Sequence, residues 1–349
     1  MRLIIMPLYG IGDVLMTTPA VRNLKERLNA HITYLHMFRA TYDVLVNNPY
    51  IDEQILFPFL SEGRLSSLRF LLSLRGRFDA SINFYPSNRK DYNLASFLVG
   101  CPIRIGHRYK IRDWAELNFL KNKTIMEDDA LHNVEEDLRL LEFLGIKDPT
   151  PYPLEIYLTE EERGVAGLWL KKNSLAGRIL IGFHPGSSVF KEHAKKRWPS
   201  EKYSSLIDRL SKEGDFRFLL FGGKEERNIK DEIKERTSVR DRVIAVETDS
   251  IRETASIMEA CRVFITNDSG LMHLSAALQL PTVAIFGPTN PRWLAPWRCP
   301  HRVIRLSVDC DPCFRYSPLP QRCIKERGFS CVRDIDVEEV LEAALGLLR

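Results

Sequence analysis

The sequence predicts an α/β protein made of two halves, each a parallel sheet wrapped by helices. Three observations predict it. Short apolar, β-branched runs alternate with amphipathic stretches along the chain. Glycine or hydroxyl residues follow many of these runs at once, where a strand would hand over to a helix. A proline-rich run, Asp148-Pro149-Thr150-Pro151-Tyr152-Pro153, punctuates the middle. At 349 residues the chain is also too long for one ordinary core.

Leu3–Met6 reads as the first strand. Leu8-Tyr9-Gly10-Ile11-Gly12-Asp13 follows as a turn, and Val14, Leu15, Val21, Leu24 and Leu28 recur at helical spacing. Pro19 kinks that helix or restarts it near Thr17-Thr18. His31–His36 is the next strand. The glycine pair is not a dinucleotide fingerprint, because the third glycine is missing and no acidic residue closes the second strand. Strands are then expected at Ile55–Phe57, Asp79–Phe84 and Ile103–Ile105, with helices at Leu65–Leu74 and Asn93–Val99. Residues 109–130 carry no clear period. Val134–Leu144 puts Val134, Leu138, Leu141 and Leu144 on one helical face and stops at Gly145, a C-cap position.

The second half begins with a helix at Glu160–Asn173. Ile179–Phe183 is its first strand and runs into His184-Pro185-Gly186-Ser187-Ser188. Tyr203–Lys212 is a helix, and Phe216–Phe221 is a strand ending in Gly222-Gly223-Lys224-Glu225-Glu226. Asn228–Thr237 and Ile251–Ala260 read as helices around the strand Arg242–Ala245. Then comes the densest stretch. Val263–Thr266 is a buried strand, Asn267-Asp268-Ser269-Gly270 supplies side-chain acceptors where a helix must start, and Leu271, Leu274, Ala277 and Leu278 form its apolar stripe. Thr282–Phe286 is a second strand, closed by Gly287-Pro288-Thr289. This is the crossover unit of parallel sheets, whose ligands sit outside the carboxyl ends of the strands. An anionic ligand would meet both turns there, held by backbone N–H groups and helix N-termini. The last helix is Val337–Leu348. The division expected is 1–153, 154–335 and a terminal segment 336–349 that can return to the first domain.

Bulk properties exclude several classes. Hydrophobic content of 44% and charged content of 28% are those of a globular chain. No run of 18 apolar residues occurs and no signal-peptide cleavage site follows the start, so a cytoplasmic location is expected. The net charge of +4, without a basic–aromatic platform, argues against a nucleic-acid partner. Residues 1–163 carry 20 Lys/Arg against 22 Asp/Glu, leaving the remainder about +6. Two basic groups stand out: Arg104, Arg108, Lys110 and Arg112, then Lys191, Lys195, Lys196 and Arg197. Both can meet phosphates or carboxylates, or be solvated loops. Cys310, Cys313, Cys323 and Cys331 form C-x2-C-x9-C-x7-C, which in a cytoplasmic protein suggests metal before disulfide. The second pair is spaced too widely for an ordinary zinc ribbon, so a structural metal and reduced thiols both stay open.

Three separated blocks resemble glycosyltransferase family 9, the ADP-heptose:lipopolysaccharide heptosyltransferases. They are Gly10-Ile11-Gly12-Asp13-Val14-Leu15-Met16-Thr17-Thr18-Pro19; His184-Pro185-Gly186-Ser187-Ser188 with Lys196-Arg197-Trp198-Pro199; and Asn267-Asp268-Ser269-Gly270-Leu271-Met272-His273-Leu274 with Phe286-Gly287-Pro288-Thr289. The likeness spans nearly the whole chain. It implies the GT-B architecture, two Rossmann-like domains facing across a cleft. It also implies transfer of L-glycero-D-manno-heptose from ADP-heptose to the lipopolysaccharide inner core with inversion, needing no metal and no cofactor. The partners implied are an ADP-sugar donor, a lipopolysaccharide core acceptor and the inner face of the cytoplasmic membrane, met peripherally. The alternatives are another nucleotide-sugar donor, a different acceptor, or a nucleotide-sugar binder without turnover.

Within that resemblance Asp13 matches the general base, since inversion requires a carboxylate to take the acceptor hydroxyl proton. Its other reading is a helix cap. Lys196 matches the cation that neutralises charge building on the ADP phosphates, with Lys195 one register away. Ser187 and Ser188 match hydroxyls beside the phosphates. Asp268, Ser269, Gly270 and Leu271 match the ADP-sugar site. A carboxylate would repel a diphosphate, so Asp268 is expected to bind sugar hydroxyls or cap the helix while the backbone holds phosphate. His273 is either a packed, hydrogen-bonded histidine or a ligand contact. Glu225 suits the ribose hydroxyls or simply starts a helix. Arg104, Arg108, Lys110 and Arg112 are the candidates for acceptor binding.

Overall fold

The computed structural model describes residues 1–8, 10–187, 194–310, 312–314 and 322–349. Ser188 and Lys191 lie outside the described residues. The chain divides into two compact units, with the break between Tyr157 and Leu158.

The first unit holds β1 (Arg2–Ile5), β2 (His31–His36), β3 (Glu53–Leu56), β4 (Ala80–Asn83), β5 (Ile103–Arg108) and β6 (Lys123–Met126). They pair in the order β3-β2-β1-β4-β5-β6, every pair parallel. The unphased stretch 109–130 yields β6, an edge strand of four residues with no buried position. An edge strand with two half-buried and two exposed residues shows no clear apolar alternation for a sequence reading to find. The central strand β4 is buried throughout, as a parallel strand covered on both faces must be. One helix spans Ile11–Met16 and a second begins at Thr18 with Pro19 in its first turn, so the proline restarts the helix rather than kinking it. The helix from Asn133 tightens to 3₁₀ geometry over Leu140–Leu144, and Gly145 caps it at φ 88°.

The second unit repeats the plan with β7 (Ile179–His184), β8 (Phe216–Leu220), β9 (Val243–Ala245), β10 (Cys261–Asn267), β11 (Thr282–Ile285) and β12 (His301–Ile304). The order is β12-β11-β10-β7-β8-β9, again all parallel. Counted from its own first strand, each sheet therefore runs 3-2-1-4-5-6, the doubly wound Rossmann order. The core of the second unit packs Ile181, Phe183 and Phe218 with Trp198, Tyr203 and Leu206. The terminal helix Val337–Leu348 supplies Val340, Leu341 and Ala344 to that same core and packs on the helix Ser200–Glu213. The expected return of this helix to the first domain is thus corrected. Its amphipathic stripe is spent on the second sheet.

Candidate functional site

In a doubly wound sheet the strand order reverses between the first strand and the fourth, and the crevice beyond their carboxyl ends binds ligands. In the second unit these strands are β7 and β10. His184 ends β7 and Asn267 ends β10, with Asp268 and Ser269 following at once.

The polar residues Asn267, Asp268 and Ser269 were expected to cap the helix Gly270–Ala277. None does so. Ser269 holds the N-cap position in extended backbone, but its side chain makes no capping hydrogen bond. Its hydroxyl lies 2.9 Å from Nδ1 of His184 instead. Asn267 accepts the Trp198 amide at 3.0 Å and donates to the carbonyls of Pro185 and Gly186 at 2.8 and 3.1 Å. Trp198 is itself buried, with its indole N–H on the Ile335 carbonyl at 3.1 Å. That anchor fixes the chain two residues earlier, where Lys196 Nζ donates to Asp268 Oδ2 at 2.7 Å. The two residues are 72 positions apart in sequence, and the geometry selects Lys196 over Lys195 for this contact. Both side chains are largely buried.

The pair is electrostatically self-consistent. Burial alone would raise the Asp268 carboxyl, but the charge and hydrogen bond of Lys196 outweigh it and hold the group below its ordinary value. His273 is buried and faces the same pair. Desolvation lowers it to about 4, partly opposed by Asp268, so the ring is neutral at physiological pH. Among the described residues its Nδ1 has no hydrogen-bond partner, unlike the satisfied packing histidine that was one of the two expectations. Gly270 and Leu271 form the first turn, whose amides lack intrahelical acceptors in any helix.

A second layer lies behind β7. Nε2 of His184 is 3.1 Å from Glu226 Oε2, which also accepts the Gly223 amide at 3.0 Å. Arg197 approaches Glu226 Oε1 at 3.4 Å and Ser187 Oγ at 3.3 Å, and also donates to the Ser187 carbonyl. Burial would raise the Glu226 carboxyl, yet His184, the Gly223 amide and Arg197 hold it below its ordinary value. Sequence reasoning singled out Glu225, which is exposed, with its carboxylate over Gly223. It missed Glu226, whose signal was only a second acid in a Gly-Gly-Lys-Glu-Glu run. Ser187 is buried beneath Arg197. Glycine at 186 is required by this carboxylate, because a Cβ there would lie 1.7 Å from Glu226 Oε1. Gly186→Ala is accordingly expected to lower stability by about 1–3 kcal/mol, the usual overpacking range. An unchanged urea midpoint would contradict the packing described.

The first unit has the matching switch point between β1 and β4. Asp13 sits in the first turn of Ile11–Met16, and its Oδ2 accepts the Gly10 amide at 3.2 Å. The cap is therefore real, and it fixes the carboxylate. Near it Asp137 is fully buried, accepting the Tyr85 amide at 2.6 Å while its Oδ2 has no partner among the described residues. Burial, then the charges of Glu136 and Asp13, push the Asp137 carboxyl well above its ordinary value. Nothing in the local sequence marked Asp137, which reads as one more acid in a helical run.

The basic residues proposed for the acceptor are engaged within their own unit. Arg108 pairs with Asp113, Lys110 with Asp129 at 2.8 Å and Arg112 with Glu116 at 3.0 Å. Arg104 donates to the carbonyls of Leu120 and Cys101, both at 2.8 Å. The seven cysteines are free thiols, and the described residues hold no group of three or more His, Cys, Asp or Glu arranged to take a metal. Cys331 is raised to about 11 by burial and by its three neighbours in the cluster. The segment covers the turn after β11. Cys313 and Phe314 donate their amides to the Pro288 carbonyl, and a Cβ on Gly287 would lie 3.5 Å from Cys331 Sγ.

Two Rossmann-like domains with polar clusters at both switch points define a protein of the GT-B fold class. The family profile described as glycosyltransferase family 9 (heptosyltransferase) matches residues 69–322. The chain belongs to glycosyltransferase family 9 and is an enzyme of that class. It is 30% identical over 319 residues to lipopolysaccharide heptosyltransferase 2 of Salmonella typhimurium, covering 88% of each chain. Among solved structures it is similar to a family 9 glycosyl transferase from Veillonella parvula, with a TM-score of 0.82 and 26% identity over 99% of this chain and 96% of that one. It is also similar to the ADP-heptose lipopolysaccharide heptosyltransferase II of E. coli. There the TM-score is 0.76 and the identity 25%, over 100% and 98% of the two chains. No helix among the described residues is long and apolar enough to cross a membrane.

Proposed function

We propose that this enzyme transfers L-glycero-D-manno-heptose from ADP-heptose to the inner core of lipopolysaccharide, with inversion at the anomeric carbon. The observation that carries the reading is the Lys196–Asp268 pair at the switch point of a family 9 sheet. The names of the relatives support the donor and acceptor classes. The acceptor hydroxyl oxygen attacks the anomeric carbon and its proton passes to Asp13. The bond from that carbon to the β-phosphate oxygen breaks, and ADP leaves with the electron pair. Lys196 neutralises the charge that gathers on ADP, with the amides of Ser269, Gly270 and Leu271 as further donors. Asp268 keeps the Lys196 head in place, and the orphaned His273 nitrogen is a candidate contact for the donor. Ser187, Ser188 and Glu225 complete the donor assignment, and Arg104, Arg108, Lys110 and Arg112 the acceptor one. Because a side chain supplies the cation, the reaction needs no metal, and ADP-heptose is a substrate rather than a cofactor. The enzyme works from the cytoplasmic face of the inner membrane, which it meets peripherally.

The test is ADP release on mixing ADP-heptose with core acceptor, with and without EDTA. Turnover insensitive to EDTA is expected. No turnover from the wild-type enzyme removes the assignment. Calorimetry with ADP against UDP then separates a different nucleotide-sugar donor from a different acceptor, and tight ADP binding without any turnover favours a non-catalytic binder.

A further inference from the structure

We propose that the outer face of the first unit, formed by the helices Gly63–Ser73 and Lys90–Val99 and the loop 110–120, docks on an anionic lipid surface. The helix Gly63–Ser73 is apolar on two sides. Leu71 on its inner side enters the core beneath the sheet, joined by Leu74 just past the helix. Leu65, Leu68 and Leu72, at i, i+3 and i+7, form a stripe on the other side and are exposed. A helix that buries one side in its own core ordinarily turns polar residues to water on the other. Here the residues flanking the stripe include Arg64 and Arg69, both exposed.

The stripe continues on the neighbouring elements. The helix Lys90–Val99 packs against it and exposes Leu94 and Phe97. The Arg104 guanidinium lies 5.6 Å from the Phe97 ring. Next to that helix, tied by Asn93 to Glu116 and Asn118 at 2.6 and 2.9 Å, stands the Trp114–Phe119 ring pair, centroids 4.9 Å apart. Trp114 is 71% exposed, an indole with little of its own protein to cover it. Exposed Trp, Phe and Leu ringed by Arg and Lys is the composition of surfaces that lie in a lipid headgroup layer.

Charge selects the occupant. The face, residues 62–75, 90–99 and 110–120 with Arg104, holds seven Lys/Arg against four Asp/Glu, a net of +3, whereas the remainder of the first 163 residues is −5. A second copy of this face would bring like charge against like, so self-association is disfavoured and an anionic bilayer is favoured. The inference deepens the proposed function, on which it rests for its purpose, since a lipid-anchored acceptor is met at a membrane. Its test is independent of turnover.

Co-sedimentation of the full chain with vesicles of equal parts phosphatidylglycerol and phosphatidylcholine, against phosphatidylcholine alone, is the experiment. Binding to the anionic vesicles, weakened by salt, is expected. Arg64→Glu/Arg69→Glu and Leu68→Ser/Leu72→Ser should each weaken it by about tenfold or more, with thermal melting unchanged. Both variants should turn over a lipid-free core oligosaccharide as the wild type does. Equal binding to both vesicle types, or binding untouched by both variants, overturns the proposal. So does a dimer in light scattering that Leu68→Ser/Leu72→Ser dissociates. Vesicle binding with no heptosyl transfer would keep the surface and remove the transfer assignment.

Discussion

Asp13→Asn is expected to lower kcat by about 10²–10⁴-fold, the range lost with a positioned general base, and to leave ADP affinity and folding stability unchanged. The substitution is chosen from the geometry. Oδ2 of Asp13 accepts the Gly10 amide, and an Asn carbonyl oxygen can keep that bond while losing the capacity to take a proton. Alanine would remove cap and base together and decide nothing. The turn is tight enough to hold the carboxylate still, for a Cβ on Gly10 would lie 2.8 Å from Asp13 Oδ2. Burial, with the charges of Glu136 and Asp13, holds the nearby Asp137 carboxyl well above its ordinary value and favours its neutral form. If Asp13 only caps the helix, Asp13→Asn will turn over normally in single-turnover kinetics, and the base lies elsewhere.

Most elements with a buried face were legible in the sequence. β2 was read at His31–His36, and β7, β8 and β10 came from apolar runs bounded by Gly, His or Asn. β6 and β12, edge strands with little burial, left no such trace. The candidate site divides in the same way. Asp13, Lys196 and Asp268 stood in recognisable blocks, because turns at strand ends have short, characteristic sequences. What joins them did not show. The Asn267–Trp198 bond that sets Lys196 against Asp268, and the His184–Glu226–Arg197 group behind it, connect residues far apart in the chain. One-dimensional spacing carries no information on such partners. The polar run Asn267-Asp268-Ser269 misled in an instructive way. Cap-forming residues were present at a helix start, but each side chain had a stronger claim from another strand end.

Lys196→Ala should separate the two effects of the buried pair. Loss of the cation is expected to cost about 10²–10³ in kcat, the range for removing one preorganised donor to developing negative charge. It also strands the Asp268 carboxylate, buried and unpaired, which costs about 3–5 kcal/mol of stability. Asp268→Asn in the Lys196→Ala background removes the stranded charge, so stability should recover while turnover does not. If both recover together, the loss in the single variant was a folding defect, and Lys196 has no part in the chemistry. The pH dependence fixes the sign independently. Lys196 depresses the Asp268 carboxyl below its unfolded value of about 3.8, so the pair stabilises the fold fully above that value. The contribution is lost as pH falls through the folded value. The wild type should therefore lose stability more steeply than the double variant only below about pH 4. His273, lowered from 6.5 to about 4, adds a separate loss of stability as pH falls between those values, and because it is present in both proteins the comparison is made below about pH 4.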